Sequence, residues 1–295
     1  MHLRGNLMLL AASFFWGTTF VAQILGMEGL GPYTYAAFRF ALGVIFMGGL
    51  WFLYRGKRAA ERRAGTFRSG FRAGIPVGVA MFAGVTLQQV ALLYTTAGKT
   101  AFITTLYIVL VPLAAVALGH RIRTAQWISA VLAFAGVYFL SAYGEMTINK
   151  GDVLVFICSL FWMAQILLID RFARTVDAIE LCLTEMIVCM FGSATLAAAY
   201  ESFAWTDVWS AAIPILYAGV FSCGVAYTCQ ILGQAYVEPT QASILLSLEA
   251  VFAAVTGWIV LGETMTAVQI LGCVLLLGGA LMTQIPKRTG KRRKN

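Results

Sequence analysis

The chain has 295 residues, of which 60% are hydrophobic and 12% are charged, and its formal net charge at pH 7 is +8. Soluble domains carry about a quarter charged residues, so this composition excludes a soluble globular protein and indicates an integral membrane protein. The six cysteines lie in apolar stretches without a Cys-x-x-Cys spacing, which argues against disulfides or a zinc site, and no metal or cofactor is expected.

Ten apolar stretches follow one another along the chain, each about as long as the twenty residues that cross a bilayer as a helix. The sequence therefore predicts an all-α membrane protein with ten transmembrane helices joined by short loops. The first stretch lacks a small-x-small cleavage site, so it is expected to be a retained helix and not a signal peptide. The predicted spans are 6–26, 33–54, 74–94, 98–118, 124–143, 151–172, 179–200, 209–235, 240–261 and 267–284.

The two halves of the chain resemble each other. Residues 12–16 (ASFFW) are similar to residues 158–162 (CSLFW). A second set recurs at a nearly constant offset: Leu118, Gly119, Gln126 and Gly136 match Leu261, Gly262, Gln269 and Gly279. Because each half holds five spans, the second must enter the bilayer from the opposite side. We therefore expect two inverted five-helix repeats, 1–143 and 150–284, with a basic tail at 285–295; such repeats are typical of secondary transporters.

Positive charges are distributed unevenly over the predicted loops. If the N-terminus is cytoplasmic, the inner segments hold nearly all Lys and Arg residues, while the outer loops hold only Lys99 and Lys150. By the positive-inside rule both termini are cytoplasmic, and the protein is expected to be a multi-pass protein of the cell (inner) membrane. The basic loop at 55–72 and the tail are expected to contact anionic lipids and not nucleic acid.

Several segments resemble the drug/metabolite transporter superfamily, EamA type. They include LEAVFAA at 248–254, VLGE at 260–263 and FFWG at 14–17, and the resemblance extends through both halves. It implies a ten-helix exporter or exchanger of amino acids and other small metabolites, without a nucleotide-driven motor. The halves have diverged, since Gly119 is followed by His120 where Gly262 is followed by Glu263, so equivalent positions need not share a role.

Three charged side chains, Arg39, Glu185 and Glu249, fall inside predicted spans. A charge at the centre of a bilayer helix costs about 2.5–3.5 kcal/mol on insertion scales, so such groups normally face a cavity or a partner. Glu249 lies near the expected midplane, with Tyr107 at a matching depth in the fourth span. Glu249 is therefore a candidate for binding a substrate ammonium group and for proton coupling.

Arg39 and Glu185 occupy matching positions of the two halves, but their helices enter from opposite sides. Each lies about 9 Å deep at 1.5 Å per residue, which places them in opposite leaflets, about 12 Å apart along the membrane normal. Arg39 is expected to attract a substrate carboxylate and Glu185 to line the inner gate. The alternative, that each bonds carbonyls or hydroxyls between helices, stays open.

Four further residues complete the predicted substrate-binding set. Trp16 and Trp162 fall near the middle of their spans, where indole faces could contact cations or flat apolar groups, or simply pack. Gln88 and Gln230 match in the repeat and could bind substrate or hold helices together.

These residues predict a secondary transporter that works by alternating access on a small-molecule substrate. Efflux of amino acids or related amphipathic compounds is favoured; uptake or passive facilitation is the alternative, and homo-oligomerisation is left open. An intramembrane enzyme is not supported, because the two histidines, His2 and His120, lie at cytoplasmic edges and no His-Glu-x-x-His or Gly-x-Ser-x-Gly motif occurs. A channel is not supported either, because the sequence has no filter-like loop.

Overall fold

The computed structural model describes residues 2–63, 68–91, 93–95, 97–141, 148–262 and 264–283. The side chains of residues 2, 58–63, 97–99, 101 and 261 are not described. The predicted basic tail at 285–295 and Glu263 lie outside the described residues, and so does the side chain of Lys99.

Helices account for nearly all of the described residues, and the extended pairing among them is one isolated bridge between Arg68 and Val176. Two of the segments are π-helical and are named here the π segment, Ala218–Ala226, and the π turn, Gly257–Leu261. The α-helices are α1 (His2–Gly26), α2 (Pro32–Arg63), α3 (Phe71–Ala91), α4 (Ala97–Thr104), α5 (Tyr107–Ala117), α6 (Thr124–Ser141), α7 (Lys150–Phe172), α8 (Ala178–Tyr200), α9 (Trp205–Ser210), α10 (Ala212–Tyr217), α11 (Tyr227–Gln234), α12 (Pro239–Leu246), α13 (Glu249–Thr256) and α14 (Ala267–Met282).

Within the described part of the chain, eight helical stretches are long and apolar enough to cross a membrane. Two shorter apolar helices, Phe102–Ala117 and Ala267–Met282, coincide with the two remaining predicted spans, 98–118 and 267–284. The described part of the chain is thus helical, and its candidate spans agree with an α-helical membrane protein. The eight longer stretches are Leu3–Gly26, Pro32–Lys57, Phe71–Ala91, Thr124–Ser141, Lys150–Phe172, Ala178–Tyr200, Ala212–Gln234 and Pro239–Val260.

Two predicted spans contain a tighter turn near their middle, at Thr105 and Leu106 in the 98–118 span and at Ser247 and Leu248 in the 240–261 span. At each turn the backbone forms bonds over three residues, such as Ile108 N–H to the Thr105 carbonyl at 2.9 Å. The backbone angles of Leu106 and Leu248 stay right-handed helical, so the chain keeps its direction through both turns. Helix α5 begins at Tyr107 and α13 at Glu249, directly after these turns.

Small residues bring α6 and α14 into close contact. A Cβ atom at Gly136 would lie 2.6 Å from the Leu276 nitrogen, and one at Gly272 would lie 2.6 Å from the Leu140 nitrogen. Lipid tails are as apolar as the helix surfaces, so helices in a membrane associate largely through such close packing and through interhelical hydrogen bonds.

Two carboxylates, one at each end of α8, accept hydrogen bonds from neighbouring helices. Glu201, directly after α8, accepts hydrogen bonds from the Tyr33 N–H at 3.0 Å and from the Thr34 N–H and hydroxyl at 2.7 Å each. Near the start of α8, Glu180 accepts from the Gly70 N–H at 3.0 Å and from the Trp51 indole at 3.3 Å. Helices α2 and α8 are therefore antiparallel, and the two carboxylates lie at helix N-termini, where a negative group is favourable.

Candidate substrate cavity

Helices from both halves of the chain line an open cavity in which the centre of a water-sized sphere has about 60 Å³ of free space. Its wall combines aromatic, amide and charged side chains. The wall residues are Trp16, Phe20, Gln23, Arg39, Val85, Gln88, Thr104, Tyr107, Trp162, Gln165, Ile166, Ser222, Tyr227, Gln230, Leu246 and Glu249. The structure thus brings seven of the eight predicted substrate-binding residues to one cavity, and Glu185 lies outside its wall.

A phenol and a carboxyl group lie side by side in this wall, each directly after one of the two tight turns. Tyr107 is the first residue of α5 and Glu249 the first residue of α13. The Tyr107 hydroxyl donates to Glu249 Oε1 at 3.4 Å. Because the two halves each contribute one partner, a movement of either helix would change this contact.

Two tryptophans and an arginine of the cavity wall have unpaired hydrogen-bond donors within the described part of the chain. Trp16 packs on Tyr227 with ring centroids 4.8 Å apart, and Trp162 packs on Gly84, where a Cβ would lie 3.3 Å from the indole. Among the described residues, the indole N–H of Trp16, that of Trp162 and the Nε–H of Arg39 are buried without a hydrogen-bond partner. An unpaired buried donor costs about 1–3 kcal/mol, so a ligand whose acceptor oxygens reach these groups after their neighbours move would be stabilised.

The Arg39 guanidinium rests on aromatic rings. Its central carbon lies 4.8 Å from the Phe40 ring centroid and 5.8 Å from that of Tyr35, and the residue is 5% exposed. Among the described residues no ion pair joins Arg39 to Glu185. Gly43, one helical turn beyond Arg39, packs against Met186, so Arg39 and Glu185 lie at different levels along their antiparallel helices.

The glutamines of the wall form two separate contacts. Gln88 donates to the Thr104 hydroxyl at 3.1 Å. Gln165 and Gln230 exchange hydrogen bonds of 3.0 and 3.1 Å, and Gln165 also donates to Glu185 Oε1 at 2.9 Å. Glu185 therefore lies behind the wall and is joined to it through Gln165.

Some wall residues have no distinguishing signal in the sequence. Tyr227 is one of eleven tyrosines and follows the π segment, whose wide turns change the direction in which later side chains point. Thr104 and Ser222 are polar residues of a kind common in membrane helices. Only the packing of the helices distinguishes these three from the other polar and aromatic residues in the spans.

Hydrogen bonds join the two halves at the end of the bundle that holds Asn6. The Gln241 amide donates to Asn6 Oδ1 at 2.8 Å, and the Gln126 amide donates to Glu238 Oε2 at 2.7 Å. Each bond joins a helix of the first half to the α12 region of the second. Toward the opposite end, the wall continues through Phe20 and Gln23 to within one turn of the end of α1.

Comparison with known proteins extends over almost the entire chain. Residues 3–142 and 149–285 each match the EamA-like transporter family. An uncharacterized transporter of Archaeoglobus fulgidus is 30% identical over 285 residues, which cover 96% of this chain and 87% of that protein. The uncharacterized transporter YoaV of Bacillus subtilis is 21% identical and covers 97% of both chains.

A solved crystal structure has the same fold. It aligns with a TM-score of 0.79 at 19% identity and covers 95% of this chain and 98% of its own. Because the family match spans both halves and a 30% identical relative spans nearly the whole length, the chain belongs to the EamA-like transporter family and is a membrane transporter of small molecules, not an enzyme.

Proposed function

We propose that this protein is a secondary transporter that exports amino acids or related amphipathic metabolites by alternating access. The observation that carries the proposal is the chemistry of the cavity. Unpaired donors of Trp16, Trp162 and Arg39 lie in one wall, and the carboxyl group of Glu249 lies in the same cavity.

A zwitterion would satisfy both parts of this wall. Its carboxylate would accept hydrogen bonds from Arg39 and the indoles, and charge-assisted bonds of this kind are roughly twice as strong as neutral ones. Its ammonium group would be attracted to Glu249, and the faces of Trp16 and Tyr227 would contact an apolar part. We therefore propose these residues, with Gln88, Gln230 and Tyr107, as the substrate-binding set.

Alternating access is supported by the relation between the halves. Each half matches the same family, α2 and α8, the second spans of the two halves, are antiparallel, and both tight turns are followed directly by a cavity residue. Transporters built from inverted repeats place their site where the repeats meet and rock one bundle against the other. We extend the proposal to ten spans in two inverted repeats, with both termini on the cytoplasmic side.

The surroundings of the transporter follow from charge. The excess of Lys and Arg at 55–72 and 287–294 supports insertion in the inner membrane with these segments next to anionic lipids. Efflux is favoured by resemblance to the family. The proposal holds whether the protein acts as a monomer or as a homo-oligomer, because the cavity is built within one chain.

Transport in proteoliposomes tests the function directly. A panel of labelled amino acids and amines would be offered with and without an imposed proton gradient, and we expect saturable movement of zwitterions, accelerated by the gradient. Movement independent of the gradient would indicate a facilitator. Conductance far above carrier turnover, or no movement of any panel member by folded protein, would contradict the proposal.

Proton coupling through Glu249 forms part of this proposal. Glu249→Gln keeps the shape of the side chain and its contact with Tyr107 but removes the ionisable group. We expect the variant to bind zwitterions more weakly and to lose gradient-driven accumulation while it still exchanges substrate across the membrane. Glu28→Gln, an exposed residue after α1, is the matched control and should behave as the wild type. Uphill transport by Glu249→Gln with an unchanged pH profile would refute the coupling role.

A further inference from the structure

Behind the cavity wall lies a carboxyl group that the proposed substrate contacts do not use. Glu185 has 0% of its surface exposed. Its Oε1 atom accepts one hydrogen bond from Gln165, and its Oε2 atom has no hydrogen-bond partner among the residues that the structure describes. A buried carboxylate with an unsatisfied oxygen is strongly disfavoured, whereas the protonated form carries no net charge.

The groups that face Glu185 do not neutralise a negative charge. Helix α3, which packs on α8, has no titratable side chain between residues 73 and 91, and α7 contributes the neutral amide of Gln165. Among the described residues, the titratable groups that face Glu185 are Cys182 and Cys189 on α8, Cys223 in the π segment and Tyr227 on α11. Arg39 on α2 is near the last three of these groups but, within the described part of the chain, forms no ion pair with Glu185.

A pair of amides connects this carboxyl group to the cavity. Gln165 and Gln230 both line the cavity and exchange two hydrogen bonds. The Gln165 amide nitrogen also donates a hydrogen bond to Glu185. Each amide has a distinct donor and acceptor end. A ligand that takes over one of these bonds at the cavity side therefore alters the bond that Gln165 offers to Glu185.

We propose that Glu185 is a proton-binding site of the transport cycle, coupled to the cavity through the Gln165–Gln230 pair. The proposal rests on the proposed transport function. When the pair rearranges and water enters, the O–H bond of the Glu185 carboxyl group breaks, its electron pair stays on the carboxylate, and the proton passes to a water molecule. The reverse step restores the neutral acid when the cavity empties.

Infrared difference spectroscopy of the full-length protein in liposomes tests this site without any transported compound. A pH titration in H₂O and D₂O should show a carboxylic acid C=O band that disappears on deprotonation. Glu249 is a second carboxyl group within the bundle with a band of its own, so we expect Glu185→Gln to lose one band that both Glu249→Gln and Glu28→Gln retain. Should Glu185→Gln fail to fold, Glu185→Asp keeps a carboxyl group and should move the band. A spectrum unchanged by both substitutions would overturn the proposal.

The coupling between Glu185 and the cavity is tested by replacing one residue of the Gln165–Gln230 pair. Gln230→Met removes one member and should shift the midpoint at which the Glu185 band titrates. Gln88→Met is the matched control, because Gln88 lines the same cavity but bonds Thr104, and it should leave the midpoint unchanged. Equal midpoints in the wild type and both variants would refute the coupling. Wild-type transport without a Glu185 band would overturn this inference alone, whereas a band without transport would overturn the proposed function.

Discussion

Some side chains in the cavity wall form hydrogen bonds with each other, and others have N–H donors without a partner among the described residues. Tyr107 and Glu249 bond to each other across the two halves, and Gln88 bonds to Thr104. Trp16 and Arg39 contact rings but leave N–H groups unpaired. Substitutions in the second group should therefore affect ligand binding more than folding.

Arg39 provides the sharpest case. Arg39→Met removes the charge but keeps an unbranched apolar chain that can still pack on Phe40. Hydrogen bonds to charged groups contribute about 1.5–3 kcal/mol, so binding of compounds with a carboxylate should weaken roughly tenfold or more. Binding of amines that lack a carboxylate should change little. Competition binding on purified protein measures both, and Arg55→Met, on the exposed part of α2, is the control. An equal loss for both ligand classes would show that Arg39 acts on structure alone.

Two glycines make a second prediction at this scale. Gly119 has φ of 88° and Gly262 has φ of 68°, a left-handed conformation that glycine adopts without a steric penalty. Gly119→Ala and Gly262→Ala should each lower the stability by about 1 kcal/mol, measured as a lower midpoint of thermal unfolding in detergent. Gly48→Ala, in a helix with free space around position 48, should be neutral or slightly stabilising. If all three variants unfold alike, the backbone conformation at 119 and 262 does not matter.

Whole helices were predictable where length and hydropathy decide the outcome. The predicted spans 151–172 and 179–200 agree with α7 (Lys150–Phe172) and α8 (Ala178–Tyr200) to within one residue. The tight turns at 105–106 and 247–248 were not predictable, because none of these four residues is a proline or a glycine and because tertiary contacts override weak local preferences. Packing also explains why Glu185 lies behind the cavity wall. Its depth in the span follows from its place in the sequence, but the direction in which its side chain points depends on the rotation of α8 about its axis, which packing sets.

The contact between α6 and α14 yields a prediction about elements. Gly272→Val should separate the two helices, because even a Cβ there meets the Leu140 backbone, and overpacking of this kind costs about 1–3 kcal/mol. Gly278→Val is the matched control on the same helix, since nothing lies within 4 Å of a Cβ at that position. Thermal unfolding in detergent should separate the variants clearly. Comparable destabilisation by both would mean that helix propensity, and not the contact, is responsible.

In the molecule as a whole, hydrogen bonds join the two halves at the end that holds Asn6. Cross-linking tests whether this end must open, because Asn6→Cys combined with Gln241→Cys places two thiols where the amides now touch. A short bifunctional thiol reagent should abolish transport in proteoliposomes, and a cleavable reagent should restore it after reduction. The wild type is the control, since five of its six cysteines are buried. Full activity in the cross-linked protein would show that the cycle does not separate these residues.

The position of α8 has a consequence for how the chain is made. Helices α2 and α3 of the first half both pack on α8 of the second and scarcely contact each other, and the start of α2 depends on the Glu201 carboxylate. A ribosome that has reached residue 143 has produced every first-half helix but not the one between them. Until residue 201 has left the ribosome, α2 and α3 lack the helix that packs between them. We therefore expect the first half to reach its final packing only after α8 of the second half has entered the bilayer.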